Sequence, residues 1–241
     1  MANITANFTQ AEFLPSRTGM LWSDLTSRTK DMALALANTL QTIRAECRKI
    51  VPNAIININS AIRPPSYNDS IGGSKTSDHL FGIRNPSNGY ELSVGAADIV
   101  CPQIDTIEFF NLCLQLRYSG VIKTGQLLLE KNNTFWVHIA NDPAKFLSSS
   151  QLSQRDQFSK YGIGYNLYNG KSGYWKTIGW GEFYGTADTA ISAVADYIPG
   201  VAGELTSSQI KIIGIAGAVT VMAVTGGIIY LAMRKRQKNR K

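Results

Sequence analysis

Residues 77–82 read Ser-Asp-His-Leu-Phe-Gly, residues 95–100 read Gly-Ala-Ala-Asp-Ile-Val, and residues 136–138 read Trp-Val-His. These stretches contain the only two histidines of the chain, His79 and His138, together with Asp98. A catalytic zinc ion takes three protein ligands with nitrogen or oxygen donors and leaves one coordination position for water. We therefore expect His79, Asp98 and His138 to bind a zinc ion. We expect Ser77 and Asp78 to shape the first stretch and to orient its histidine.

Glu130 is the candidate general base, because a carboxylate near a metal-bound water can take its proton. Glu130 ends a predicted strand, and His138 lies in the next one. The register of the hairpin decides whether the two side chains meet. A three-residue loop at 132–134 would place Glu130 opposite Trp136 and on the face of His138. A two-residue turn at 132–133 would place Glu130 on the other face. Catalysis requires the first register, and the sequence leaves both open.

At these residues the chain resembles the zinc D-alanyl-D-alanine carboxypeptidase family, peptidoglycan peptidases that include phage endolysins. The resemblance covers roughly residues 7–142, and its motifs occur in the family's order. They are Phe8-Thr9-Gln10-Ala11-Glu12-Phe13, Ser60-Ala61-Ile62-Arg63, Asn68 with Ile71-Gly72-Gly73, the Ser-x-His-x-x-Gly box at 77–82, and Trp136-Val137-His138. The resemblance implies that zinc is bound by His79, Asp98 and His138. It also implies that Glu130 is catalytic and that Arg63 contacts the substrate.

The chain departs from the family's pattern between the first histidine and the aspartate. The family writes this motif without interruption, whereas here about twelve extra residues, near 83–94, separate Gly82 from Gly95. The entropy of loop closure rises slowly with loop length, so the flanking residues can keep their places if the ends of the insert are close. The insert carries Glu91, a rival candidate for the base, and we expect it to form a turn at the rim of the substrate cleft.

The order of predicted elements indicates an α+β fold, a small zinc peptidase domain with an antiparallel sheet and flanking helices. Apolar residues at helical spacing predict a first helix over 24–49, with Ser23 or Asp24 as its N-cap. The further predictions are a strand over 54–62, a helix over 105–116, and two strands over 126–130 and 134–140. We assign this domain to residues 1–147.

Residues 148–208 form a predicted extension rich in glycine and aromatic residues. Residues 148–154 are typical of a linker or loop, and 187–198 of a short amphipathic helix. Between Tyr161 and Tyr184 the composition shifts to glycine and aromatic residues, among them Tyr165, Tyr168, Tyr174, Trp175, Trp180 and Phe183. These rings can stack on sugars, rest at a membrane interface or cover an edge of the domain, and we favour the last role.

Residues 209–233 are predicted to form a transmembrane helix. Ile212 to Met233 is a run of 22 residues without a charge, and at about 1.5 Å per residue it can cross a hydrocarbon core of about 30 Å. The basic tail, 234–241, holds six of the charges behind the formal net charge of +7. The rest of the chain is nearly neutral, so any nucleic-acid contact is expected from the tail alone.

Cysteine usage and the N-terminal sequence bear on where the protein acts. Cys47, Cys101 and Cys113 make an odd number without short paired spacing, so we expect reduced thiols. The first thirty residues lack a basic start followed by an apolar run, so a Sec-type signal peptide is not expected. Basic residues that flank a transmembrane helix tend to stay in the cytoplasm, so the tail would be cytoplasmic and the peptidase domain would lie on the other side of the membrane.

An internal membrane of a virion reconciles these two expectations, because the domain can then lie on the outer side of the vesicle while the tail faces the genome. The expected function is that of a membrane-anchored zinc peptidase acting on peptidoglycan peptides, as a virion-associated lytic enzyme of a membrane-containing phage. A bacterial cytoplasmic membrane is the other possible location. The alternative function is an inactive, zinc-stabilised structural or binding protein of such a membrane.

Overall fold

The computed structural model describes residues 2–131, 133–168 and 175–177. Its helices are α1 (Gln10–Phe13), α2 (Ser27–Ile50), α3 (Pro65–Ser70), α4 (Thr106–Tyr118), α5 (Ser149–Ser153) and α6 (Gln157–Tyr161). Its strands are β1 (Asn3–Thr5), β2 (Phe8–Thr9), β3 (Asn57–Ser60), β4 (Ala96–Val100), β5 (Thr124–Lys131), β6 (Phe135–Asn141), β7 (Ile163–Tyr168) and β8 (Trp175–Thr177). This mixture confirms the α+β class.

The long helix α2 forms where the apolar spacing predicts it, although its N-cap differs from the expected residue. Thr26 caps the helix, and its side chain accepts a hydrogen bond from the backbone N–H of Thr29. The expected cap Asp24 instead accepts from the backbone N–H of Leu21 and closes a preceding 3-10 turn. Buried positions recur along one face of the helix, at Met32, Ala33, Leu36, Ala37, Leu40, Ile43 and Cys47.

The main sheet has six strands in the order β3-β4-β6-β5-β7-β8. The pairs from β3 to β5 are antiparallel, as predicted, but β7 pairs with β5 in parallel, so the sheet is mixed. Between β5 and β7 the chain returns along the antiparallel β6 and then passes through α5 and α6, which gives the long connection that a parallel pair needs. The strand expected over 54–62 is shorter, and residues 148–154, expected as a loop, contain α5.

The two faces of the sheet have different roles. Residues that alternate along three strands, Ala97, Ile99, Leu127, Leu129, Val137 and Ile139, are buried in the core together with residues of α2 and α4. Because side chains alternate between faces, Asp98 and His138 lie on the opposite face. This arrangement leaves one face to stabilise the fold through apolar burial and the other to carry polar chemistry. The three cysteines are free and buried.

Several expectations concern residues outside those described. They are the helix over 187–198, the apolar run from Ile212 to Met233, the basic tail, and Tyr174, Trp180 and Phe183 of the aromatic set. Within the described ranges, no helix combines the length and the apolar character that crossing a membrane requires. Residues 163–168 of the expected extension contribute β7, and Met1–Lys176 form one compact unit.

Candidate metal centre

Three elements bring the two histidines and Asp98 together. His79 lies in a 3-10 turn over Asp78–Leu80, Asp98 lies in β4 and His138 lies in β6. Asp98 and His138 are directly paired across the antiparallel strands, so their side chains leave the same face side by side. All three side chains are buried, and one donor atom of each lies within 4.8 Å of the others. The expected convergence across the insert is therefore present.

Asp98 is the centre of this group. Its Oδ1 atom lies 3.2 Å from Nε2 of His79 and 3.0 Å from Nδ1 of His138. Tetrahedral coordination with bonds of about 2.0–2.1 Å to nitrogen and oxygen would place ligand atoms about 3.3 Å apart. The two separations and the mixed nitrogen and oxygen donors are therefore compatible with a zinc ion, and these three residues could hold it.

A backbone carbonyl orients the ring of His79. Nδ1 of His79 lies 2.8 Å from the carbonyl oxygen of Ala61, which can accept only if that nitrogen carries the hydrogen. The lone pair is then on Nε2, the atom that faces Asp98. Such an outer hydrogen bond fixes the tautomer and ring orientation of a metal-binding histidine. Ser77 caps the turn by accepting from the backbone N–H of His79 at 3.3 Å.

The electrostatic environment differs between the two imidazoles. Burial lowers the pKa of His79, and the charge of Arg63 acts in the same direction. Burial also opposes the charged form of His138, but the hydrogen bond to Asp98 and the negative charge of Glu130 outweigh it and raise its pKa. Burial likewise disfavours ionised Asp98, yet its hydrogen-bonded, positive surroundings hold its pKa well below the ordinary value. These surroundings favour the ionised form of Asp98, the form that can bind a cation.

Glu130 adopts the first of the two hairpin registers. Lys131 pairs with Phe135, which leaves three residues between the strands, and Glu130 pairs with Trp136. Glu130 therefore lies on the sheet face that carries His138, whose partner on β5 is Leu128. The indole N–H of Trp136 donates to Oε2 of Glu130 at 2.8 Å, a contact that the sequence did not predict. The rival candidate Glu91 is exposed on the insert.

Arg63 lies at the same site. Its Nη2 atom donates to Oδ2 of Asp98, and its Nε donates to the hydroxyl of Ser60 at 2.7 Å. The backbone N–H of Arg63 also donates to the carbonyl of His79 at 2.8 Å. The guanidinium is therefore held against the oxygen of Asp98 that does not face the imidazoles. This contact with the carboxylate of a candidate metal ligand is additional to the substrate contact expected from the sequence.

The insert leaves the ligand set intact because its two ends are joined. The backbone N–H of Gly82 donates to the hydroxyl of Ser93 at 2.7 Å, and that of Gly95 donates to the carbonyl of Asp78 at 3.1 Å. Gly95 adopts a φ of +90°, and a Cβ atom there would lie 2.7 Å from the ring of Phe81. A glycine is thus required at position 95, directly before β4, the strand that carries Asp98.

The comparisons with known proteins agree with this geometry. The family model described as Peptidase M15 matches residues 6–140. No curated protein and no solved structure matches the chain. The matched region contains every candidate ligand, the candidate base and Arg63.

Proposed function

Because the chain belongs to the peptidase M15 family, we propose that it is a zinc-dependent peptidase that hydrolyses peptide bonds of bacterial peptidoglycan, in the stem or the cross-link. The observation that carries this proposal is the convergence of His79, Asp98 and His138, with Glu130 on the same face of the sheet. Family membership supports a metallopeptidase acting on substrates of the peptidoglycan type. The zinc and the class of bond are our inference.

The side chains divide the work of hydrolysis between them. His79, Asp98 and His138 would hold the ion, which when bound supplies Lewis acidity, making water more acidic and polarising the scissile carbonyl. Glu130 would take the proton of the attacking water on its carboxylate and pass it to the leaving amine. Trp136 supports this role, because its N–H holds one carboxylate oxygen of Glu130 in place.

A digestion experiment tests the proposed activity. Purified peptidoglycan is incubated with the zinc-loaded full-length protein, and the products are identified by mass spectrometry. We expect new amino and carboxyl termini within the peptides, loss of activity with a chelator and recovery with added zinc. Intact peptides after incubation with the zinc-loaded protein would contradict the proposal and favour an inactive, zinc-stabilised binding protein.

We propose that Arg63 binds a carboxylate of the substrate. Its planar fork has five N–H donors, and the contacts with Ser60 and Asp98 leave donors for a substrate. Arg63→Lys is expected to lower kcat/KM by about tenfold to hundredfold, the equivalent of the about 1.5–3 kcal/mol of a charged hydrogen bond. The same variant is assayed on a substrate whose terminal carboxylate is amidated, where its effect should shrink. An equal loss on both substrates would show that Arg63 acts only through Asp98.

We also propose that residues 209–233 anchor the enzyme in a membrane, in a virion of a membrane-containing phage or otherwise in a bacterial cytoplasmic membrane. The uncharged run of 22 residues and the basic tail beyond it support this proposal. In the virion, the tail is proposed to face the packaged nucleic acid.

Met222→Arg tests the anchor, because an arginine near the centre of the span opposes insertion by about 2.5–3.5 kcal/mol. We expect the unchanged full-length chain to stay with lipid vesicles after an alkaline wash and the variant to be released in larger part. Release of both chains in equal amounts would contradict the anchor. Protease treatment of intact and opened particles or cells then reports which side the tail occupies.

A further inference from the structure

A buried ion pair connects the candidate metal centre to the chain beyond the matched family region. Nη1 of Arg155 donates to Oδ1 of Asp78 and Nη2 donates to Oδ2, both at 2.8 Å. The two side chains are 3% and 2% exposed. Arg155 is suited to this contact because its planar fork matches both carboxylate oxygens at once. The family match ends at residue 140, so Arg155 lies outside it.

Asp78 directly precedes His79 in the 3-10 turn and fixes the surroundings of that turn. Its Oδ1 accepts from the backbone N–H of Val94 at 3.0 Å, and its carbonyl accepts from the N–H of Gly95 at 3.1 Å. One residue therefore connects the turn with the end of the insert and with the start of β4. Because β4 carries Asp98, the connection reaches two of the three candidate ligands.

Arg155 also connects the turn of Asp78 to the chain beyond residue 148. Besides Asp78, its guanidinium donates to the carbonyl of Leu92 at 2.8 Å and to the carbonyl of Ser159. The extension is itself attached to the sheet, since the N–H of Leu127 donates to the carbonyl of Gly162 at 2.9 Å and β7 follows β5 in parallel. Through Arg155, the turn that holds His79 is thus hydrogen-bonded both to the insert and to the segment that precedes β7.

We propose that Arg155 is a positioning residue for the metal centre, which holds the turn of His79 in the orientation that binds the ion. Residues 148–168 are then part of the functional unit rather than an attachment to it. The inference rests on the proposed function, in that it takes the ion to be zinc. A purely structural role is the competing explanation, and a buried ion pair by itself is weak evidence for stability.

The test compares zinc affinity with stability in full-length variants. Zinc binding is measured by competition with a chromogenic chelator, coordination by the visible absorption of the Co²⁺-loaded protein, and stability by the Tm of the apoprotein. We expect Arg155→Met to weaken zinc binding by about tenfold, the lower end of what loss of a direct partner of a metal ligand costs, because Arg155 acts on His79 through Asp78, and to change the Co²⁺ spectrum. Arg155→Lys keeps the charge without the fork and should give an intermediate affinity.

Arg117→Met is the matched control. Arg117 donates to the carbonyls of Gly125 and Tyr161 at 2.7 and 2.9 Å, so these two hydrogen bonds attach the chain near residue 161 to β5 and involve no residue of the turn of Asp78. We expect this variant to lower the Tm and to keep the wild-type zinc affinity and Co²⁺ spectrum. An equal loss of affinity in Arg117→Met and Arg155→Met would mean that general loosening is responsible, which would overturn the inference.

Each remaining outcome is also decisive. If Arg155→Met does not fold, the affinity and spectrum of Arg155→Lys decide, and wild-type values in that variant overturn the inference. If the wild type binds zinc and both Arg155 variants bind it equally well, the inference about Arg155 is wrong and the proposed function still stands. A wild-type chain that binds no zinc overturns both.

Discussion

Glu130→Gln is expected to reduce kcat for peptide hydrolysis by about 10²-fold to 10⁴-fold, the usual contribution of a general base. Glutamine keeps an oxygen that can accept from the indole of Trp136, so the local geometry should survive. The three ligand residues are unchanged, so zinc content should equal that of the wild type. Steady-state kinetics on a peptidoglycan peptide, with metal analysis of the same preparation, make the measurement.

Glu91→Gln is the matched control for that experiment. Glu91 carries the same functional group but is exposed on the insert, whereas the charge of Glu130 acts directly on His138. We expect Glu91→Gln to keep the wild-type kcat. Loss of activity in Glu91→Gln together with full activity in Glu130→Gln would transfer the role of base to the insert.

Asp98→Asn is expected to abolish activity by removing the ion. Asp98 faces both imidazoles, and its negative charge would be part of what attracts the proposed cation. Removing a group that is hydrogen-bonded to a metal ligand lowers the metal affinity by about tenfold to hundredfold. Removing the charge of a ligand itself should therefore lower the zinc affinity by more than about hundredfold. Chelator competition measures the zinc affinity, and added zinc in excess should not restore the wild-type rate.

The stability of the same variant separates a local effect from unfolding. Asparagine still offers an oxygen to Arg63, so the free energy of unfolding should fall by less than the about 3–5 kcal/mol that an unpaired buried charge costs. Asp105→Asn is the control, because Asp105 is an exposed N-cap of α4 and asparagine caps helices equally well. Wild-type zinc affinity in Asp98→Asn, or a matching loss in Asp105→Asn, would contradict the assignment.

The sequence could predict the parts of the site that are encoded locally. Histidine and aspartate within short motifs identified His79, Asp98 and His138, and strand alternation reduced the position of Glu130 to two registers. The choice between these registers depends on one residue of loop length, which periodicity does not determine. The structure pairs Lys131 with Phe135, which leaves three residues between the strands and sets the face that Glu130 occupies.

The parts that could not be predicted depend on contacts between distant residues. The N–H of Gly82 meets Ser93 across the insert, and Arg155 meets Asp78 from a segment far along the chain. Neither contact leaves a periodic signal, because each joins loop or turn residues. The sequence did not predict the parallel pairing of β7 with β5 either, because this pairing depends on how the chain returns along β6 and passes through α5 and α6.

The central claim is that His79, Asp98 and His138 share one zinc ion. Crystals of the zinc-loaded protein, with diffraction data collected on both sides of the zinc absorption edge, test it most directly. We predict one anomalous peak at about 2.0–2.2 Å from Nε2 of His79, a carboxylate oxygen of Asp98 and Nδ1 of His138. A zinc-loaded crystal with its peak elsewhere, and with these three side chains bonded only to one another, would contradict the claim.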